Sequence, residues 1–156
     1  MKGVFQMKLN PYKALAATVV IHFFIMFALT YSGVYKFEHI YPNLNRFYMA
    51  VIMVAPMVIL MMIFMGHMFQ NKKLNIGLYS LSVFVFIAGF FALRSQAFVG
   101  NDQFLSSMIP HHSIAIKTCE RADITDPEIK QLCDEIVKAQ REEIAQMEDI
   151  KKRLDQ

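Results

Sequence analysis

Three long stretches of this sequence carry no charged residue: residues 14–35 (22 residues), 47–71 (25) and 74–93 (20). No other feature limits the fold as strongly. A helix rises about 1.5 Å per residue, so about 20 residues cross the roughly 30 Å hydrocarbon core of a bilayer. Backbone amides in lipid must be satisfied within the segment, so each stretch is expected to be a helix. Tyr12, Tyr31, Tyr35, Phe47, Tyr48 and Phe69 fall near the ends, where aromatic belts form.

The charges segregate accordingly. Residues 1–94 hold 8 Lys/Arg and 1 acid, a net of +7; residues 95–156 hold 8 and 12, a net of −4. One soluble core would not divide its charges this way. The apolar content excludes a disordered chain, and two cysteines exclude a disulfide-rich scaffold. The basic residues flank apolar runs and form no patch for nucleic acid. The chain therefore reads as three membrane helices over residues 1–94, a connector at 95–100 and a polar tail at 101–156.

Orientation follows from Lys and Arg. Lys2, Lys8, Lys13, Lys72 and Lys73 fall on one side; Lys36, Arg46 and Arg94 fall on the other. The positive-inside rule places the first side in the cytoplasm and the tail in a periplasm. The first apolar run exceeds the 7–15 residues of a signal-peptide core, so it reads as an uncleaved helix of an inner-membrane protein.

The tail reads as a helical hairpin. Asn101 or Asp102 can cap a first helix reaching about Ala122, kinked at Pro110, which leaves the Ser106 carbonyl without its partner. Thr125 and Glu128 have capping-box spacing, and Pro127 suits the first turn of a second helix. That helix is apolar at Ile129, Leu132, Ile136, Val137, Ile144, Met147, Ile150 and Leu154, a 3.6-residue period. A two-helix unit of this size is marginal alone. It must pack on the membrane half or on a second copy; two copies would make a four-helix bundle, so a homodimer or higher homo-oligomer is expected.

The residues with chemical potential concentrate in the hairpin. Met108, His111 and His112 are three and four apart, so they lie on adjacent turns of one helix. Gln140, Glu143 and Met147 have the same spacing on the second helix. Counting back from the turn sets His111 level with residue 138, and Met108 between Gln140 and Glu143. Thioether plus imidazole is a soft ligand set that suits Cu(I), and by the same logic Ag(I), better than Mg or Ca.

The run MIPHHSIAI, followed by ERA and DEIVKAQREEIAQM, resembles the bacterial family catalogued as domain of unknown function 305. The whole chain resembles a membrane-anchored branch of it. The resemblance implies a ferritin-like four-helix bundle that binds copper through Met and His, with copper tolerance as its role in some members. The matching positions are Asp102, Met108, His111, His112, Gln140, Glu143 and Met147. Two departures stand out. Many members carry two hairpins where this chain has one, and many carry Met where this chain has Thr118.

Further candidates are weaker. Cys119 shares a face with His112 and offers a sulfur ligand, or pairs with Cys133 across the turn. Met49, Met53, Met57, Met61 and Met65 recur every four residues in the second apolar stretch. They read as a packing ridge or as a soft-metal path with His22 and Met26 one turn apart on the first helix. No nucleophile–base pair, phosphate loop or organic-cofactor motif appears, so no enzymatic activity is expected. The expected function is a membrane-anchored copper(I)-binding protein in copper homeostasis or tolerance, with copper-handling proteins as partners. The alternatives are a metal-transport component using the Met row, and a structural or interaction module.

Overall fold

The computed structural model describes residues 10–156; Lys2 and Lys8, counted above for orientation, lie outside them. Helices α1 (Pro11–Leu29), α2 (Leu44–Phe64), α3 (Lys72–Arg94), α4 (Asn101–Arg121) and α5 (Pro127–Leu154) make an all-α chain, with no strand among the described residues. The first three are long and apolar enough to cross a membrane.

Each membrane-type helix opens on an asparagine. The side chains of Asn10, Asn43 and Asn71 accept from the backbone N–H groups of Tyr12, Arg46 and Leu74, satisfying donors that a helix start leaves open. These caps move the helix starts outward from the charge-free windows. Lys13 and Arg46 lie in first turns, and Lys72 and Lys73, expected in a connecting turn, are the first residues of α3. The second stretch also ends early. Gly66, a poor helix former, opens a short 3-10 turn, Gly66–Met68. Met65 is thus the C-cap of α2 and Met68 lies outside it.

The middle helix α2 packs against both α1 and α3. Leu15, Val58, Met62 and Phe69 form a buried cluster at one end. Gly89 lets α3 approach closely, since a β-carbon there would meet Ile52 at 3.3 Å. The end of α3 is a Schellman motif: Ala97 N–H donates to the Ala92 carbonyl at 2.9 Å and Gln96 N–H to the Leu93 carbonyl at 3.3 Å. Gln96 takes the left-handed φ of 51° that the motif requires, a position glycine usually fills.

The hairpin packs on itself through Leu105, Ile109, Ile116, Ile144 and Met147, with Met108, Val137 and Ile150 against them. Its starts differ from the sequence expectation. Gly100 is the N-cap of α4 and adds no side-chain bond; Asn101 and Asp102 are already helical. The N-cap of α5 is Asp126, which accepts from Glu128 and Ile129 N–H at 2.9 and 3.1 Å. Pro127 occupies the first helical position, which makes the preceding residue the cap and removes Thr125 from that role. A Cys119–Cys133 disulfide, with α-carbons 5.2 Å apart, closes the tip.

The hairpin core also holds Tyr35 and Tyr41 of the α1–α2 loop, so the apolar stripe packs partly on the membrane half. One side of α4 is fastened there along its length. Gln103 accepts from Leu44 N–H at 2.8 Å, and Lys117 donates to the Ser32 carbonyl at 3.1 Å. The carbonyl of Ser106, freed by Pro110, accepts from Asn43 Nδ2 at 3.0 Å. The expected defect at the proline is thus filled by a side chain from the loop.

Candidate functional site

A step of about 100° per residue puts Met108, His111 and His112 on the side of α4 away from Gln103, Ser106, Ser113 and Lys117. This open edge forms a series of cross-helix pairs. Nearest the tip is the disulfide. Next, His112 Nδ1 lies 3.0 Å from Glu143 Oε2. Toward the connector, Asp102 pairs with Lys151. Counting between these pairs sets Met108 level with Met147, and Met108 packs on the cluster that holds Met147. The register is about one and a half turns off the sequence estimate, because the connection between α4 and α5 is not symmetric about its midpoint. It is His112, not Met108, that meets Glu143.

His112 is the central residue of this edge. Its side chain is 12% exposed, yet Nδ1 has no hydrogen-bond partner of proper direction. The Glu143 carboxylate is close but poorly aligned, and it also accepts from Gln140 Nε2 at 3.2 Å. Burial pushes the His112 pKa down, Glu143 opposes that push, and His111 adds to it. The neutral imidazole that a metal requires is therefore favoured. His111 is exposed, its ring centroid 5.9 Å from that of His112.

Met108, His111, His112, Gln140, Glu143 and Met147 thus gather on one edge. Asp102 does not join them. It is ten residues from His112, about 15 Å along the helix, and is engaged by Lys151. Cys119 is bonded to Cys133, so its sulfur is not a thiolate ligand in this form. Among the described residues no group of three or more His, Cys, Asp and Glu side chains is placed to hold a metal. A soft-metal site here must draw on methionine sulfur.

The membrane candidates are dispersed. Met49, Met53 and Met65 are exposed on the protein surface, while Met57, Met61, His22 and Met26 are half-buried. The crevice of about 550 Å³ among α1, α2 and α3 is lined by neither Met nor His. The rotation of a four-residue row around its helix accounts for this spread.

Residues on the other side of α4 escaped the sequence reading. Ser113 is fully buried; its Oγ accepts from Tyr35 N–H at 2.8 Å and lies 2.8 Å from His39 Nδ1. His39 is buried too, and burial pushes its pKa down. Ser106 and Ser113, seven residues apart on a face that is otherwise buried, were the available sign that a polar partner docks there.

The family model described as Domain of unknown function (DUF305) matches residues 91–151, covering the end of α3, all of α4 and most of α5. A protein described as Uncharacterized protein L153, from Acanthamoeba polyphaga mimivirus, is 38% identical over 112 residues, which cover 69% of this chain and 70% of that one. That span exceeds the 62 residues from Ser95 onward, so the likeness reaches into the membrane half. No solved structure matches the chain. By these matches the chain belongs to the family described as domain of unknown function 305.

Proposed function

We infer that this chain is a membrane-anchored copper(I)-binding protein that holds or hands over metal without catalysing a reaction. The observation that carries the reading is His112. It is a largely buried imidazole, held neutral by burial, whose Nδ1 has only a poorly aligned carboxylate 3.0 Å away; exposed His111 adjoins it, and the Met108 and Met147 thioethers lie one turn along the edge. A buried polar atom without a partner is costly, and a soft cation is one partner that would relieve it. Met sulfur and neutral imidazole suit Cu(I) and Ag(I). Glu143, whose Oε2 lies 3.0 Å from His112 Nδ1, would share the metal as a ligand, with Gln140 holding its carboxylate in place.

The resemblance to copper-binding members of the family supports the same reading. The Lys/Arg distribution supports an inner-membrane topology with the N-terminus in the cytoplasm and the hairpin in a periplasm. The Cys119–Cys133 disulfide suits such an oxidising compartment. Phe104, Ile129, Leu132 and Leu154 remain exposed on the hairpin, which supports a second copy completing a four-helix bundle. Nothing in the placement of the Met row favours a transport path.

The test is a competitive chelator titration of the full chain in detergent with Cu(I), in its disulfide form. Met147→Leu, which keeps the core volume, and His111→Ala should each lower affinity about tenfold, or about 1.4 kcal/mol. Parent-like Cu(I) affinity in both variants would overturn the reading.

A further inference from the structure

A cavity of about 390 Å³ lies where the α1–α2 loop meets the hairpin, on the side of α4 opposite the metal-binding edge. Its lining combines Lys36, Arg141, His39 and Glu148 with an apolar floor of Ile116 and Ile144. Among the described residues, neither Lys36 nor Glu148 makes an ion pair or a side-chain hydrogen bond. Arg141 gives one nitrogen to Glu120 at 2.6 Å, and its guanidinium has further donors. Opposite charges therefore border one cavity without neutralising each other.

The loop that supplies Lys36 and His39 has the exposure of a membrane-surface segment. Phe37, next to Lys36, is 89% exposed, and Ile40 is also exposed. Phe98 of the α3–α4 connector is 91% exposed. It lies at the same end of the three-helix layer, where Asn45 at the start of α2 binds Gln96 at 3.0 Å. Large apolar side chains exposed beside cationic ones suit the boundary between headgroups and acyl chains.

We propose that this cavity binds the headgroup of a phosphoethanolamine lipid, with the phosphate between Lys36, Arg141 and His39 and the ammonium against Glu148. The His39 ring is set up for this. Ser113 Oγ accepts from Tyr35 N–H and lies 2.8 Å from His39 Nδ1, a contact that either tautomer satisfies. In the tautomer in which the Ser113 hydroxyl donates to Nδ1, Nε2–H is a donor for a phosphate oxygen. A purely anionic headgroup would leave Glu148 unpaired, and a quaternary choline has no N–H to donate to it. The aliphatic floor and the exposed Phe37 would lie along the glycerol and upper acyl carbons. The site does not depend on metal binding.

The experiment reconstitutes the full chain in vesicles of equal parts phosphatidylethanolamine, phosphatidylcholine and phosphatidylglycerol, and counts retained lipid by native mass spectrometry after detergent extraction. The expected result is a preference of about fivefold for phosphatidylethanolamine over either competitor, equivalent to one partly exposed ion pair of about 1 kcal/mol. Glu148→Gln should abolish most of that preference, while Lys36→Gln, which touches the phosphate that all three lipids share, should lower total retained lipid about fivefold and leave the preference in place. Lys36 is exposed, so its variant tests the site even where Glu148→Gln disturbs packing. Equal retention of the three lipids, a preference for phosphatidylglycerol, an undiminished preference in Glu148→Gln, or undiminished total lipid retention in Lys36→Gln would overturn the proposal.

Discussion

The two sides of α4 handle polar groups in opposite ways. On the loop side, Gln103, the Ser106 carbonyl, Ser113 and Lys117 each meet a partner from the α1–α2 segment. On the open edge, two residues along the same helix, His111 is exposed and His112 Nδ1 has no aligned partner. Satisfied buried groups hold structure together; an unsatisfied one invites a ligand. One helix thus serves as both the clamp to the membrane layer and the wall of the candidate metal site.

The comparison breaks most readily at Asn43, which is 4% exposed. It caps α2 through Oδ1 and fills the Pro110 defect through Nδ2. Asn43→Ala should cost about 3 kcal/mol, from a lost cap plus a stranded buried carbonyl. The check is thermal unfolding of the full chain in detergent; a loss below about 1 kcal/mol would mean that water replaces the bond. Ser113→Ala should cost about 2 kcal/mol in the same assay, because it strands Tyr35 N–H and His39 together.

Acid should act on the loop side as well. Burial holds His39 below its usual 6.5, with Glu148 and Glu38 opposing and Lys36 reinforcing the shift. In that range the unfolded chain binds a proton that the folded chain does not. The contribution of His39 is therefore complete above its unfolded value and is lost as pH falls through the folded one. Unfolding midpoints measured from neutral to acid pH should fall, and His39→Gln should flatten that dependence. The smallest effect belongs to the open edge. Glu143 is half exposed and poorly aligned with His112, so Glu143→Gln should change stability by no more than about 0.5 kcal/mol.

Much of this architecture is legible in the sequence. Apolar length located three helices, and the 3.6-residue stripe located α5. The asparagine caps were not read, because a charge count does not see backbone donors. The hairpin register was off by about one and a half turns, since it depends on how an asymmetric connection closes. His39 and Asn43 escaped because their partners are 74 and 63 residues away in sequence, and no local pattern encodes a contact of that range. Helical spacing made Met108, His111 and His112 legible as one face of α4, and Glu143 and Met147 as one face of α5; which of them meet was set by the register.

The most direct test sets neighbouring residues from the two sides against each other in one competitive Cu(I) titration of the full chain. His112→Ala should lose at least about tenfold in affinity, or about 1.4 kcal/mol, while Ser113→Ala stays within about twofold of the parent. Equal losses in both variants, or an unchanged affinity in His112→Ala, would contradict the assignment of metal binding to the open edge.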